Sequence, residues 1–140
     1  MSKYNLKEKK IKMPDYQTQH SVEYVERIYD MVMQKIIMEK KYRDPEYNAA
    51  KLAKDVGVNS RCLSSVINNR YRDNFSQMVN DLRIREVQYM LSNPHFNEMS
   101  MEEIARAAGF STRQSFHMAF YKRTGLTPSA YKRKFAKEGE

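Results

Sequence analysis

Two short stretches of the sequence carry side chains suited to hydrogen bonding with the edges of nucleic-acid bases. The first set is Arg61, Ser64, Ser65 and Asn68, and the second set is Gln114, His117, Met118 and Tyr121. An arginine can pair with both acceptors of a guanine edge, and a glutamine can pair with both polar groups of an adenine edge. Both sets recur at the spacing of a helix face, so base contact is the chemistry that they suggest.

Apolar residues in the same stretches decide which side chains point outward. They have the spacing of buried helix faces: Leu63, Val66 and Ile67 in the first stretch, and Phe116, Ala119 and Phe120 in the second. An advance of about 100° per residue turns both polar sets away from these faces, with Ser64 and His117 at the edges. Each polar residue could also be an ordinary solvated one. Arg61 and Gln114 are the stronger candidates, because they lie near helix N-termini.

Start and stop signals place the second stretch in a helix-turn-helix. Ser100 and Glu103 have the spacing of a capping box, and Gly109 is typical of a helix end. Ser111 and Gln114 predict a second capping box two residues later. Two helices joined by so tight a turn form a unit whose second helix can enter a DNA major groove.

The run from Gly109 to Arg133 resembles the C-terminal signature of AraC/XylS-type transcriptional regulators. It combines a Gly-Phe-Ser turn, a helix with Phe116 and Phe120, a Gly-x-Thr-Pro exit and a following Tyr131. The resemblance covers about residues 22–136. It implies an all-α fold of about seven helices, with two helix-turn-helix subdomains joined by a long linker helix.

The sequence itself contains a repeat that predicts the other helix-turn-helix. At an offset of 52, Leu52, Ala53 and Gly57 match Ile104, Ala105 and Gly109, and residues 58–61 match residues 110–113. After one residue of slip, Leu63 and Ile67 match Phe116 and Phe120.

A long helix is predicted between the two units, from an Asn74 cap to about Ser92, where Asn93 and Pro94 end it. It would be roughly 27 Å long and could hold two recognition helices near the ~34 Å spacing of major-groove segments. Another amphipathic helix is predicted from Ser21 to about Lys41.

These signals divide the chain into five parts. They are a basic tail at 1–20, a first helix-turn-helix subdomain with its leading helix at 21–73, the linker helix at 74–92, a second subdomain at 93–137, and a tail at 138–140. The basic tail is predicted to be mobile and solvated, or else an arm that touches phosphate or a minor groove.

The formal net charge of +8 lies at the two ends of the chain. Residues 1–13 carry five lysines and one glutamate, residues 121–140 carry six basic and two acidic groups, and the middle is neutral. Such a balance favours an anionic partner. Candidate phosphate contacts are Arg70, Arg72, Ser100, Lys122, Arg123, Thr127 and Lys132. For each cation among them the alternative is an ordinary solvated charge.

Two positions depart from the family pattern. Where the family commonly places an arginine, two residues after each core position, this sequence has Ser65 and Met118. Two polar contacts are therefore missing, although Met118 could touch a thymine methyl group. The preferred DNA site cannot be transferred from relatives.

Other classes of chemistry lack support in the sequence. The lone Cys62 excludes an internal disulfide and a cysteine-cluster zinc site, and His20, His95 and His117 have no metal-ligand spacing. No apolar run has the length of a membrane span, and no signal peptide opens the chain. We therefore expect no enzymatic activity, no cofactor, no metal, no membrane association and a cytoplasmic location.

The sequence thus predicts a sequence-specific regulator of transcription that binds double-stranded DNA with two helices in successive major grooves. The resemblance implies a bacterial protein, activation more often than repression, and contact with RNA polymerase. Two linked reading units favour a monomer on DNA, and a complete short protein without a sensor domain fits slightly better than a detached output module. The alternatives are a protein-interaction module and a non-specific architectural DNA-binding protein that use the same helices.

Overall fold

The computed structural model describes residues 21–138, and within them the fold is all-α, as predicted. Its seven α-helices are α1 (Ser21–Met33), α2 (Ala49–Val56), α3 (Ser60–Tyr71), α4 (Phe75–Ser92), α5 (Met101–Ala108), α6 (Arg113–Thr124) and α7 (Pro128–Glu138). The predicted basic tail at 1–20 and the last two residues of the predicted C-terminal tail lie outside the described residues. None of the described helices is long and apolar enough to cross a membrane.

Side-chain caps start the short helices, because each cap satisfies a backbone N–H that the helix leaves unpaired. The caps with their backbone donors are Asn48 with Lys51, Asn59 with Cys62, Ser100 with Glu103, and Thr112 with Ser115. The predicted capping box at Ser100 and Glu103 is confirmed. The predicted box at Ser111 and Gln114 is wrong, since Thr112 caps α6 one residue later.

The predicted repeat has a structural counterpart in paired helices of equal length. α2 and α5 each have 8 residues, and α3 and α6 each have 12. The first turn contains residues 57–59 and the second contains residues 109–112, so the one-residue slip lies in the turn. Gly57 and Gly109 end the first helix of each unit in the left-handed conformation.

The leading segment differs from the single helix predicted for residues 21–41. α1 ends at Met33, and a π-helical turn, Gln34–Met38, follows it. In this turn the Glu39 N–H donates to the Gln34 carbonyl, five residues back, at 2.9 Å. Lys40 then adopts a left-handed backbone conformation, with φ of 57°. The apolar periodicity continues through this stretch and therefore hides the change of helix type.

One compact unit comprises residues 21–41 and Tyr47–Met78. In it α1 packs against α2 and α3, and α2 packs against α3. Its core residues are Val25, Ile28, Val32, Ile36, Leu52, Ala53, Val56, Cys62, Leu63, Val66, Ile67 and Met78. The buried Tyr47 donates a hydrogen bond to Asp55 at 2.7 Å. Burial is the largest cause of the raised pKa of Tyr47, and the hydrogen bond to Asp55 raises it further.

The other compact unit comprises Tyr42–Glu46 and residues 79–138. Within it α6 packs against α5 and α7. Its core residues are Ile84, Val87, Met90, Leu91, Ile104, Ala105, Ala108, Phe110, Phe116 and Phe120. Phe116 contacts Phe110 and Phe120, with ring centroids 5.3 and 5.8 Å apart, and Phe120 contacts Tyr131 at 5.3 Å. Ile84 on α4 is 1% exposed.

The segment Tyr42–Glu46, here called the strap, lies against α4 and the turn of this second unit. Arg83 donates from Nε to the Tyr42 carbonyl at 2.7 Å, and Arg43 forms an ion pair with Glu86 at 2.7 Å. The Tyr42 hydroxyl also hydrogen-bonds to Glu86. Burial lowers the pKa of Arg83, and Asp44 partly offsets that shift. The strap therefore supplies polar partners to a guanidinium that α4 holds largely out of water.

Gly109 lies under the strap and has no room for a side chain. A Cβ built there would lie 2.4 Å from the Tyr42 carbonyl oxygen and 2.7 Å from Arg83 Nε, and φ is +114°. At the corresponding Gly57, φ is +80°. A Cβ there would have no atom within 4 Å apart from those of its own helix and chain neighbours. The two glycines thus share a backbone requirement, while only Gly109 also has a steric one.

Alanine substitution at the two glycines should separate these requirements. Gly57→Ala should lower the free energy of unfolding by about 1–2 kcal/mol, the cost of a left-handed residue with a Cβ. Gly109→Ala should cost roughly 2–5 kcal/mol, because overpacking adds ~1–3 kcal/mol to that strain. Urea denaturation of both variants measures the difference. Equal losses would show that the strap yields to a methyl group.

Candidate nucleic-acid interface

The outward face of α3 is formed by the four residues predicted to contact bases. Arg61, Ser64 and Asn68 are exposed, and Ser65 is half-buried. The opposite face consists of Cys62, Leu63, Val66 and Ile67, all buried. The structure therefore brings the whole first set together on one side of the helix, at positions i, i+3, i+4 and i+7.

The outward face of α6 has the same arrangement. Gln114, Met118 and Tyr121 are exposed, and His117 is half-buried. Phe116 and Phe120 hold the opposite face in the core, with 2% and 0% of their surface exposed. Ala119, predicted to point inward, is only partly buried against this core.

The two faces correspond position by position. Because α3 begins at Ser60 and α6 at Arg113, the helices align at an offset of 53. The pairs are Arg61 with Gln114, Ser64 with His117, Ser65 with Met118, and Asn68 with Tyr121. The prediction that matched Arg61 to Arg113 at an offset of 52 is corrected, since the longer second turn moves the start of α6 by one residue.

Both helices present their best hydrogen-bonding side chain in the first turn. Arg61 is the second residue of α3, and Gln114 is the second residue of α6. Arg113, the first residue of α6, is exposed beside Gln114 and was not among the predicted contacts. The sequence repeat paired Arg113 with Arg61 at an offset of 52. This pairing concealed that Arg113 is the first residue of α6.

The predicted phosphate contacts at helix starts use their hydroxyl groups as caps. Ser100 Oγ accepts from the Glu103 N–H at 3.1 Å, and Thr127 Oγ1 accepts from the Ala130 N–H at 3.1 Å. The other first-turn amides of α5 and α7 remain candidates for an anion there, apart from Pro128, which has no N–H.

Two of the predicted phosphate-binding arginines are already paired with carboxylates. Arg70 lies 3.0 Å from Glu26, and its guanidinium is 5.9 Å from the Tyr29 ring centre. Arg123 lies 3.4 Å from Asp81. A phosphate at either position would compete with the carboxylate or share the guanidinium with it, since a guanidinium has five N–H donors. These two pairs were not evident from the sequence, because their members are far apart in the chain.

The remaining predicted cations differ in their backbone setting. Lys122 is exposed on α6, and Lys132 is half-buried on α7. Arg72 follows α3 with φ of 71°, at the position that Gly125 occupies after α6 with φ of 76°. A left-handed arginine is uncommon, since such a conformation costs about 1–2 kcal/mol in a residue with a Cβ.

The exposed face of α6 continues into a shallow cleft beside the start of α7. His117, Met118, Tyr121, Lys122, Thr127 and Pro128 line it. None of these six residues is acidic. Among the described residues no cluster of His, Cys, Asp or Glu could hold a metal ion.

Comparison with known proteins identifies relatives of this arrangement. A family model described as a helix-turn-helix domain matches residues 52–134. The C-terminal domain of the two-component response regulator yesN from Fusobacterium nucleatum is 22% identical, with a TM-score of 0.63, covering 76% of this chain and 95% of that one. The C-terminal domain of AraT, a response regulator from Geobacillus stearothermophilus, is 23% identical, with a TM-score of 0.64, covering 79% and 84%.

A third similar structure is a DNA-binding transcriptional dual regulator from Escherichia coli K-12. It is 17% identical, with a TM-score of 0.65, and the match covers 79% of this chain and 93% of that one. At these identities the structural likeness establishes a shared fold. No curated protein matches the sequence.

Truncation of neighbouring residues on α6 should distinguish its two faces. Phe116→Ala should lower the free energy of unfolding by roughly 3–5 kcal/mol, because it opens a cavity in the aromatic core. Met118→Ala, two residues along the same helix, should change it by less than about 0.5 kcal/mol, as is usual for a surface substitution. Chemical denaturation of the two variants is the measurement. A large loss in the Met118 variant would contradict the assignment of the outward face.

Proposed function

Because the chain belongs to the AraC-type family of helix-turn-helix proteins, and is therefore a DNA-binding transcription regulator and not an enzyme, we propose that it recognises a specific duplex sequence with two helices. In this proposal α3 and α6 each enter a major groove, and the two grooves are successive ones on the same DNA. The predicted base contacts are the four residues on the outward face of each helix.

One observation carries this proposal, namely the position-by-position correspondence of the two outward faces. Both recognition helices have 12 residues, bury one face in a core, and expose side chains at i, i+3, i+4 and i+7. A buried face fixes the helix, so the exposed face keeps one orientation towards a ligand. That is the arrangement by which helix-turn-helix proteins present side chains to base edges.

Arg61 and Gln114 are the residues that we assign to the principal hydrogen bonds with bases. Both are exposed in the first helical turn, which enters a groove deepest. The bidentate donor pair of Arg61 suits guanine, and the amide of Gln114 suits adenine. Arg72, Lys122, Lys132 and the first-turn amides of α5 and α7 supply the proposed phosphate contacts. Arg70 and Arg123 would join them by exchanging their carboxylate partners for a phosphate or by sharing the guanidinium between the two.

We extend this proposal to the oligomeric state, the mode of regulation and the location of the protein. Two reading units in one chain support binding as a monomer. The family resemblance supports activation through contact with RNA polymerase in the cytoplasm of a bacterium. Two of the similar structures are C-terminal domains of response regulators. Their likeness supports the view that this chain performs the DNA-binding step of a regulatory system.

Selection from random duplex DNA tests the two-helix proposal. The full chain should enrich two short motifs about one helical turn apart, and the winner should bind at least ~10³-fold more tightly than a scrambled duplex. Affinities for both duplexes are measured at two salt concentrations. Salt-sensitive binding without an enriched motif would favour an architectural protein. Absence of DNA binding would favour a protein-interaction module, which the exposed Met118 and Tyr121 would suit.

Removal of the Arg61 side chain tests its assignment to a base. Arg61→Ala should cost about 1–3 kcal/mol of binding free energy on the selected site and relax the preference at one base pair. Competition binding against single-base variants of the site measures both effects.

Lys54→Ala provides the matched control, since Lys54 is an exposed cation of the same unit on α2. Its removal deletes the same charge without touching the outward face of α3, so base preference should be unchanged. An equal loss on selected and random DNA in the Arg61 variant would exclude a base-reading role for that residue.

A further inference from the structure

The two recognition faces occupy equivalent positions but differ in chemistry. On α3 every outward side chain is polar, and none belongs to the large exposed hydrophobic residues of the described chain. On α6 the equivalents of Ser65 and Asn68 are Met118 and Tyr121, whose side chains are 65% and 62% exposed. The second unit therefore offers an apolar surface where the first offers hydrogen-bonding groups.

The surroundings of this apolar pair favour an anionic ligand. Met118 and Tyr121 share their cleft with Lys122 and the start of α7, and none of the lining residues is acidic. Arg113 is exposed at the N-terminus of the same helix. An apolar surface beside a lysine, on a helix that also exposes an arginine, suits a partner that combines apolar groups with phosphates. A protein surface without acidic groups would fit this surface less well.

The major groove of DNA presents one apolar group, the C5 methyl of thymine. Met118 has no hydrogen-bond donor, and its thioether is a weak acceptor, so a methyl group is the base feature that it can contact favourably. Gln114 precedes Met118 by one helical turn and suits adenine, the partner of thymine. From Gln114 to Tyr121 the helix rises about 10 Å, which is about three base-pair steps.

We propose that Met118 and Tyr121 recognise thymine methyl groups, so that the second unit reads an A·T-rich half-site while the first reads its half-site by hydrogen bonds. This inference rests on the proposed function, since it requires that α6 enters a major groove. Shape complementarity to methyl groups then replaces the hydrogen bond that an arginine would make at position 118.

Replacement of thymine by deoxyuridine tests the inference, because it removes the methyl group and leaves the pairing edge intact. The duplex is the winner of the random selection, and the half-site of the first unit is the one whose preference is lost in Arg61→Ala. Uracil in the other half-site should weaken binding by about fourfold for each buried methyl. Uracil in the first half-site should change affinity less than twofold.

Met118→Ala should abolish the discrimination at one thymine, and Met118→Ala combined with Tyr121→Ala should abolish most of it, so that thymine and uracil duplexes bind about equally. Ser65→Ala is the matched control, because Ser65 occupies the same position on α3. It should leave the fourfold discrimination in the second half-site unchanged.

The outcomes separate this inference from the function on which it rests. Specific binding that is insensitive to uracil, or a second half-site without thymine, would overturn methyl recognition and leave sequence-specific binding intact. Uracil sensitivity that persists when both Met118 and Tyr121 are replaced by alanine would assign the methyl contacts to other residues and likewise overturn it. Failure to enrich any motif would overturn the proposed function itself.

Discussion

The structure depends on burying one face of two helices that are too short to be stable alone. Isolated helices of fewer than about 12–15 residues are marginal in water, and α3 and α6 each have 12 residues. Leu63, Val66 and Ile67 on α3 are 1% exposed or less, as Phe120 is on α6. Tertiary packing therefore both forms these helices and fixes which side chains remain outside. In this protein the outward faces of α3 and α6 are a consequence of the core.

The second unit adds a polar constraint to its aromatic core. Arg83 is largely buried, and its Nε donates a hydrogen bond to a backbone carbonyl of the strap. Leaving a partly buried charged donor without its acceptor is costly, so this bond disfavours detachment of the strap. The same contact closes the space around Gly109. One charged side chain thus ties α4, the strap and the helix-turn-helix turn into a single arrangement.

Sequence reasoning predicted the fold well where local signals agree with burial. The capping box at Ser100, the glycine at 109 and the Pro94 stop all coincide with observed helix boundaries. The outward faces followed from the apolar spacing, because a helical period leaves few ways to place a core. The sequence therefore sufficed to place each predicted contact on the outward face of its helix. Contact with DNA stays a prediction.

What the sequence could not predict depends on longer-range contacts or on alternatives of similar local energy. Ser111 and Thr112 are both good caps, and the choice of Thr112 shifted the register of α6 by one residue. The π-helical turn keeps an apolar pattern that an α-helix would also satisfy. The ion pairs of Arg70 and Arg123 join residues more than forty positions apart. No spacing rule connects such residues before the chain is folded.

The order of segments along the chain has a further consequence, since the strap precedes the first helix-turn-helix yet belongs to the second unit. The second unit is therefore discontinuous in sequence. A fragment that began at α4 would contain its complete helix-turn-helix but not the carbonyl that accepts from Arg83. Recombination that exchanged only the C-terminal half would combine a strap and an α4 of different ancestry. During synthesis the strap is also made before α4, since 41 residues separate Tyr42 from Arg83. The exposed faces of the two units can thus diverge, while the sequence order of the strap keeps the inheritance of the two units linked.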